Sequence, residues 1–303
     1  MFLKKIWNKI INNQKYQELR YSEHKEKNIL LFQNKHENQI NFIKKNIDNK
    51  KKLNFLHSGH AADIINVLPV IKKLSETHAC NLYININKPI KFYYKHPAGN
   101  FYINTRIYKM LEPLLKKQKY LEDVNIYKNQ DIDINFDLIR DLPINLLFDN
   151  TTYASVITGI QPDLTEPFIS ADFHKEFTNK IIIQRTFRYR NQFISYKFLN
   201  NFKDIFFVGT NEEYQDLKKI IKNLNFYDCE NFLEMANIVN SSKFVIANSS
   251  ITFPIAEGLQ VPRLLEACPD FPAAQPHGKN SFNFYFQSHF EEKFNYLNNL
   301  NLK

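Results

Sequence analysis

One stretch constrains this chain more than any other: Leu53-Asn-Phe-Leu-His-Ser-Gly-His-Ala-Ala-Asp63-Ile-Ile-Asn-Val-Leu-Pro69-Val-Ile-Lys-Lys-Leu74. A short apolar run reaches a Ser-Gly turn, after which apolar residues recur at 64, 65, 67, 68, 71 and 74. The period changes from that of a strand to that of a helix across a single glycine, which is the opening unit of an open α/β sheet. The alternation continues with a strand at Cys80 to Ile86, a helix over 108–121 and a short strand from Val124 to Tyr127. Pro143, Pro162 and Pro167 punctuate the segment that follows.

A second series begins with strands at Lys180 to Arg185 and Asp204 to Gly209, then a helix from Glu212 to Leu224. Tyr227 lies in a short strand, Asn231 to Asn240 in a helix, and Lys243 to Ala247 in a strand. A polar turn over 248–254, a helix from Ile255 to Gln260, a strand from Val261 to Glu266 and a helical segment over 282–300 complete it. Strands alternating with helices imply parallel sheets, here in two α/β domains facing one another. The expected organisation is a helical extension over 1–50, a first α/β domain over 51–175 and a second over 176–303 that ends in a helix. Glycine is scarce, with 6 in 303 residues, so each is expected to mark a turn that other residues cannot make.

Composition narrows the class. The apolar runs are far shorter than the roughly 18 residues that a membrane span needs, and no signal peptide is visible. Three cysteines, odd in number and far apart, fit a reduced cytoplasmic protein. The net charge of +9 suggests an anionic partner, although Lys-, Asn- and Ile-rich wording also arises from genome base composition. No aromatic RNA-binding motif or concentrated basic stripe accompanies it, so nucleic acid is not expected as a partner. In the first 50 residues Phe2, Leu3, Ile6, Ile10 and Ile11 recur at helical spacing between lysines. Such a helix either packs on the body, the preferred reading, or makes peripheral contact with the inner face of a membrane.

Ligands in open α/β sheets sit beyond the carboxyl ends of strands, which directs attention to two turns. In the first (His57, Ser58, Gly59, His60), Asp63 opens a helix whose dipole stabilises its anion, so it could serve as a general base. A merely favourable N-terminal Asp is the alternative. In the second, Asn248, Ser249 and Ser250 precede Pro254, and a helix N-terminus there attracts phosphate. Glu257, one turn on, could accept hydrogen bonds from ribose hydroxyls. Arg185, Arg188 and Arg190, with Tyr189, follow the strand at 180–185, and their guanidinium forks match phosphate oxygens. A solvated loop is the alternative there, and helix capping for the serines. His57-x-x-His60 lacks the further ligands of a zinc site, and Asp131-x-Asp133 lies in a polar/apolar alternation typical of a strand, so no metal is expected.

Together these blocks resemble the glycosyltransferases related to ADP-heptose:lipopolysaccharide heptosyltransferases, more closely a branch found in bacteria and phages. The pattern runs through Gly59, Ala62-Asp63-Ile-Ile, Leu68-Pro69 and Ile71-Lys72 to Asp137-Leu-Ile-Arg140. It continues with Ile183, Arg185-Thr, Arg188-Tyr189, Asn191, then Phe207-Val-Gly209 and Glu212-Glu213-Tyr214. Asn248, Ser250, Pro254-Ile-Ala-Glu257-Gly-Leu, Pro262-Arg-Leu-Leu-Glu266 and Cys268-Pro269 close it, so the resemblance covers about residues 53–290. It implies the GT-B fold, two Rossmann-like domains with the site in the cleft between them. It further implies metal-independent, inverting transfer from a nucleotide-sugar, which is a substrate rather than a cofactor, to a glycan or lipid-linked acceptor. Asp63 aligns with the catalytic base, and Gly209, Asn248 and Ser249 fall with the donor-binding blocks. The family's Gly before the base is Ala62, its donor-site Asp is Asn248, and its later His falls near Phe253, departures that argue against heptose as the sugar. A binding protein without catalysis is the alternative function.

Overall fold

The computed structural model describes Trp7, residues 9–92 and residues 96–300. Strands β1 (Lys52–His57), β2 (Ala79–Ile84), β3 (Asp123–Ile126) and β4 (Ile134–Asn135) form a parallel sheet in the order β3-β2-β1-β4. Strands β5 (Ile181–Gln184), β6 (Ile205–Val208), β7 (Asn225–Tyr227), β8 (Phe244–Ala247), β9 (Arg263–Glu266) and β10 (Ser281–Phe284) form a second. Its order is β10-β9-β8-β5-β6-β7, again parallel throughout. Counted from its own first strand, each sheet sends its second and third strands to one side and its fourth to the other. The strand order therefore reverses between β1 and β4 and between β5 and β8, and such switch points open a crevice at the carboxyl ends.

The two-domain α/β reading holds, with local revisions. The helix expected after Gly59 is two pieces, α3 (Ala61–Asn66) and α4 (Leu68–Leu74), because Pro69 has no N–H to carry the ladder across the junction. The next helix, α5, spans Thr105–Lys116, and α6 spans Tyr153–Thr158. In the second half α7 is Asn211–Lys218, α8 is Phe232–Ser241 and α9 is Thr252–Leu259. β10 takes residues expected to be helical, because pairing with the edge of β9 satisfies its backbone. The final helix, α10 (Gln287–Asn299), packs on β9 and β10. Its Phe290 and Phe294 are fully buried, with the Phe290 ring stacked 4.1 Å from that of Phe284.

The halves share one apolar core. Phe55, Leu82 and Leu111 of the first half and Met235, Val239 and Val245 of the second belong to a single buried cluster, with α5 set against α8 and α3 against α9. The passage between the sheets is strapped onto α9: the N–H groups of Phe168 and Ile169 both donate to the Gly258 carbonyl at 2.8 Å. Gly258 is therefore not a turn, since it lies inside α9 where a Cβ would come 2.5 Å from Ile169.

The N-terminal residues behave differently from the preferred expectation. α1 (Asn13–Leu31) contains no buried residue, while α2 (Glu37–Asn49) buries Ile43 and Asn46 against the body. Trp7, Ile10 and Ile11 are exposed, so packing on the body accounts for α2 alone; Phe2, Leu3 and Ile6 lie outside the described residues. Gly258→Ala is expected to lower folding stability by about 1–3 kcal/mol through overpacking against Ile169, measured by urea denaturation.

Candidate active site

The first switch point supplies one wall. β1 delivers His57, Ser58 and Gly59 to the sheet rim, and the 3₁₀ turn Phe136–Arg140 follows β4 beside it. Asp137 accepts the Ser58 N–H at 3.0 Å, the Ser58 hydroxyl, Arg140 Nη1 at 2.7 Å and Lys88 Nζ at 3.3 Å. Arg140 Nη2 then reaches Asp63 Oδ2 at 3.2 Å, and the His60 N–H donates to the same oxygen at 3.1 Å. The guanidinium lies 4.9 Å from the Tyr102 ring centroid. Gly59 permits this arrangement by close approach, because a Cβ there would lie 2.4 Å from Arg140 Nη2 and 2.7 Å from Asp63 Oδ2.

Charge states follow from these contacts. Burial would raise the Asp63 carboxyl, but His60, Arg140 and His57 outweigh it and hold the group below the ordinary carboxylate range. Burial opposes ionisation of Asp137 too, yet His57, the Ser58 hydrogen bonds and Arg140 bring it to about 2. His57 is pushed down to about 4, mainly by burial and then by Arg140. Its Nδ1 accepts the Gly59 N–H at 2.8 Å, which puts the proton of the neutral ring on Nε2. His60 is lowered by burial, and its Nδ1 donates to the Tyr102 carbonyl at 2.9 Å, leaving Nε2 as an acceptor. Asp63 is thus an anion throughout the neutral range, flanked by neutral imidazoles.

The second switch point supplies the facing wall, where Ser249, Ser250, Phe253 and Pro254 surround the start of α9. The Ser250 hydroxyl is buried without a hydrogen-bond partner, an unusual condition for a polar atom and one that a ligand would relieve. Arg188 and Tyr189 join from the loop after β5, with the Tyr189 ring stacked 5.6 Å from Phe271. The charge of Arg188 depresses both His60 and His96 across the gap; burial is the larger cause at each, and His96 falls to about 3. The cleft between the walls has a volume of about 310 Å³, and Asp63, His57 and His60 line it opposite Arg188 and Ser250.

Several expected site residues are committed elsewhere. Arg185 does not reach the cleft: it is buried in a bidentate pair with Glu266, at 2.6 and 2.8 Å, under Tyr196. Arg190 is held by Asp216 at 2.6 Å and by the Thr186 carbonyl at 3.2 Å. Glu257 is fully enclosed, accepting from Arg263, from the His277 N–H at 3.0 Å and from Ser281 at 3.2 Å, so it cannot meet a ribose. Asn248 fastens the turn to Thr186 through paired hydrogen bonds, and Gly209, at φ 141°, sits behind beside Gln184. Asp133 of the sequence pair Asp131/Asp133 is taken by Lys50 and the Asn54 N–H. Sequence reasoning missed Arg140, Tyr102, Tyr153 and Phe271; only Arg140 carried a signal, its place in the Asp137-Leu-Ile-Arg140 block.

The sequence matches no family profile and no curated protein. The fold does match solved structures. Escherichia coli heptosyltransferase WaaC bound to ADP-2-deoxy-2-fluoro heptose aligns with a TM-score of 0.53 at 9% identity, over 82% of this chain and 99% of that one. WaaC with ADP gives 0.54 at 10% identity, over 82% and 99%. The glycosyl transferase family 9 protein from Veillonella parvula gives 0.53 at 10% identity, over 82% and 91%. The fold is therefore the two-domain GT-B arrangement that the resemblance implied.

The neutral, buried His57 has a pH consequence. Its folded pKa of about 4 lies below its ordinary 6.5, so the unfolded chain takes up this proton first as the solution is acidified. Stability is then expected to fall between pH 6.5 and 4 by up to about 3 kcal/mol from this group. His57→Gln should flatten that part of the stability–pH curve, measured by denaturant titration at each pH.

Proposed function

We propose that this protein is a glycosyltransferase that moves a sugar from a nucleotide-sugar to a hydroxyl of a glycan or lipid-linked acceptor. The observation that carries the reading is the pairing of Asp63 on one wall with a buried, unpartnered Ser250 hydroxyl at a helix start on the other. An acceptor hydroxyl would give its proton to an Asp63 oxygen as its own oxygen attacks the anomeric carbon. The bond from that carbon to the diphosphate breaks on the far side, towards α9. With base and leaving group on opposite walls, displacement is in line and the anomeric configuration inverts. The departing charge is met by Ser250, by N–H dipoles at the start of α9 and by Arg188, without a call on a metal ion.

Arg140 is a positioning residue in this scheme. It holds the Asp63 carboxylate ionised and aimed, and its second contact on Asp137 stops it from following the proton. His60, whose Nε2 carries a lone pair into the same turn, is the rival base. The flat faces of Tyr102, Tyr189 and Phe271 suit sugar and nucleobase rings. Among the described residues no helix is long and apolar enough to cross a membrane. The reading places the reaction in the cytoplasm, at the inner face of the membrane where lipid-linked acceptors are presented.

Two measurements test this. Asp63→Asn, which gives up the ion pair with Arg140, is expected to lower Tm modestly and leave donor affinity nearly unchanged while cutting transfer by at least about 10²-fold; normal turnover in that variant, lost instead in His60→Gln, would move the base to His60. Arg188→Ala should weaken nucleoside-diphosphate binding and reduce its salt dependence, whereas Arg190→Ala should cost stability and leave that salt dependence intact. Titration calorimetry at two ionic strengths separates the two arginines.

A further inference from the structure

Asn66 ends α3 as a buried amide that the fold leaves without a partner. It is only 7% exposed, and its side chain makes no hydrogen bond among the described residues. The other buried Asn and Gln side chains described are all engaged. Asn46 donates to the Asp133 carbonyl at 3.2 Å, Asn81 to Asn54 at 2.9 Å and Gln118 to the Leu114 carbonyl at 2.7 Å. Gln184 accepts from the Thr252 N–H at 3.0 Å, Asn191 donates to the Ala267 and Tyr285 carbonyls at 3.0 Å, and Asn248 is paired with Thr186. What Asn66 faces is the cleft, which it lines one helical turn after Asp63 on the same side of α3. A buried amide left without a partner costs folding free energy, so its presence needs a reason outside the fold.

α3 packs on α9 and on the turn Asn150–Thr152, so Asn66 stands where the two walls meet. Apart from Asp63 and Asn66, what α9 and α3 with its C-cap Val67 turn to the cleft is apolar: Ala62, Val67, Phe253 and Pro254. These residues offer a phosphate no cation, and the Asp63 anion one turn away repels it. The partner that suits the amide is therefore a neutral group able to donate and accept, as a sugar hydroxyl is. In the reaction above, the transferred sugar lies between Asp63 and the diphosphate, alongside Asn66. We propose that Asn66 is a specificity-determining residue that hydrogen-bonds a hydroxyl of the transferred sugar, so that the cleft tells a loaded nucleotide-sugar from the spent nucleoside diphosphate. The inference rests on the transferase reading and adds to it the side chain that reads the sugar. The amide has its partner while the sugar is attached and loses it when the sugar leaves on the acceptor, which favours release of the diphosphate.

The test is titration calorimetry on wild type, Asn66→Leu and Asn66→Ala. The probes are the nucleoside diphosphate that binds wild type and the same diphosphate carrying glucose, galactose or mannose. At least one conjugate is expected to bind wild type more tightly than the bare diphosphate. Both variants should weaken that conjugate roughly 2- to 10-fold, the loss of one hydrogen bond, and leave the bare diphosphate unchanged. Asn66→Leu should keep or raise Tm, because it replaces an unpartnered buried amide with an apolar group of similar size. Variants that bind the conjugate as wild type does, or that weaken conjugate and diphosphate together, overturn the proposal. So does a wild type for which no conjugate binds better than the diphosphate, and so does an Asn66→Leu Tm several degrees below wild type, since the amide then serves the fold. Each of these results leaves diphosphate binding, and with it the transferase reading, standing; a wild type that binds no nucleotide overturns both.

Discussion

Arg140 stands between two carboxylates, and the organisation of the first wall depends on that position. Asp137 and Asp63 arrive from different strand-end turns and share one guanidinium, with Gly59 removed from the space it needs. An acid so placed is always ionised at neutral pH, which makes it available as a proton acceptor but intrinsically a weak one. Catalysis by Asp63 would then depend on orientation towards an attacking hydroxyl more than on basicity. The neutral imidazoles of His57 and His60 complete a turn in which one full negative charge faces the cleft.

The facing wall is built by the opposite strategy, in which most of the charge is spent on structure. Arg185 with Glu266 and Arg263 with Glu257 are buried pairs, each satisfied by further hydrogen bonds, and they tie the loop after β5 and the helix α9 to β9. Removing one partner from such a pair typically costs about 3–5 kcal/mol, because the other is left as an uncompensated buried charge. These pairs hold still the turn from which Ser250 and Arg188 reach the cleft. Rigidity behind the site and a buried, unpartnered hydroxyl in its lining are what a preorganised phosphate site would use.

Much of the fold was legible because parallel strands announce themselves. Ile181-Ile-Ile and Phe244-Val-Ile-Ala are continuous apolar runs, buried on both faces, and each ends in a polar turn. β10 was not, since its residues pair only because the edge of β9 is available. In the site, Asp63, Arg188 and Ser250 were legible from their place at strand ends. What could not be read was which of three arginines within six residues would reach the cleft. That choice is made by Glu266, 81 residues from Arg185, and by Asp216, 26 residues from Arg190. Glu257 misled for the same reason: its partner Arg263 looked like a strand residue.

The central claim is that the start of α9 is a diphosphate site, and the Ser250 hydroxyl is its most specific element. The direct test is calorimetric titration of a panel of nucleoside diphosphates into wild type and Ser250→Ala. The account predicts that at least one nucleotide binds wild type, and that losing one hydrogen bond of about 0.5–1.5 kcal/mol weakens it roughly 2- to 10-fold in the variant. No binding across the panel, or equal affinity for wild type and Ser250→Ala, would contradict it.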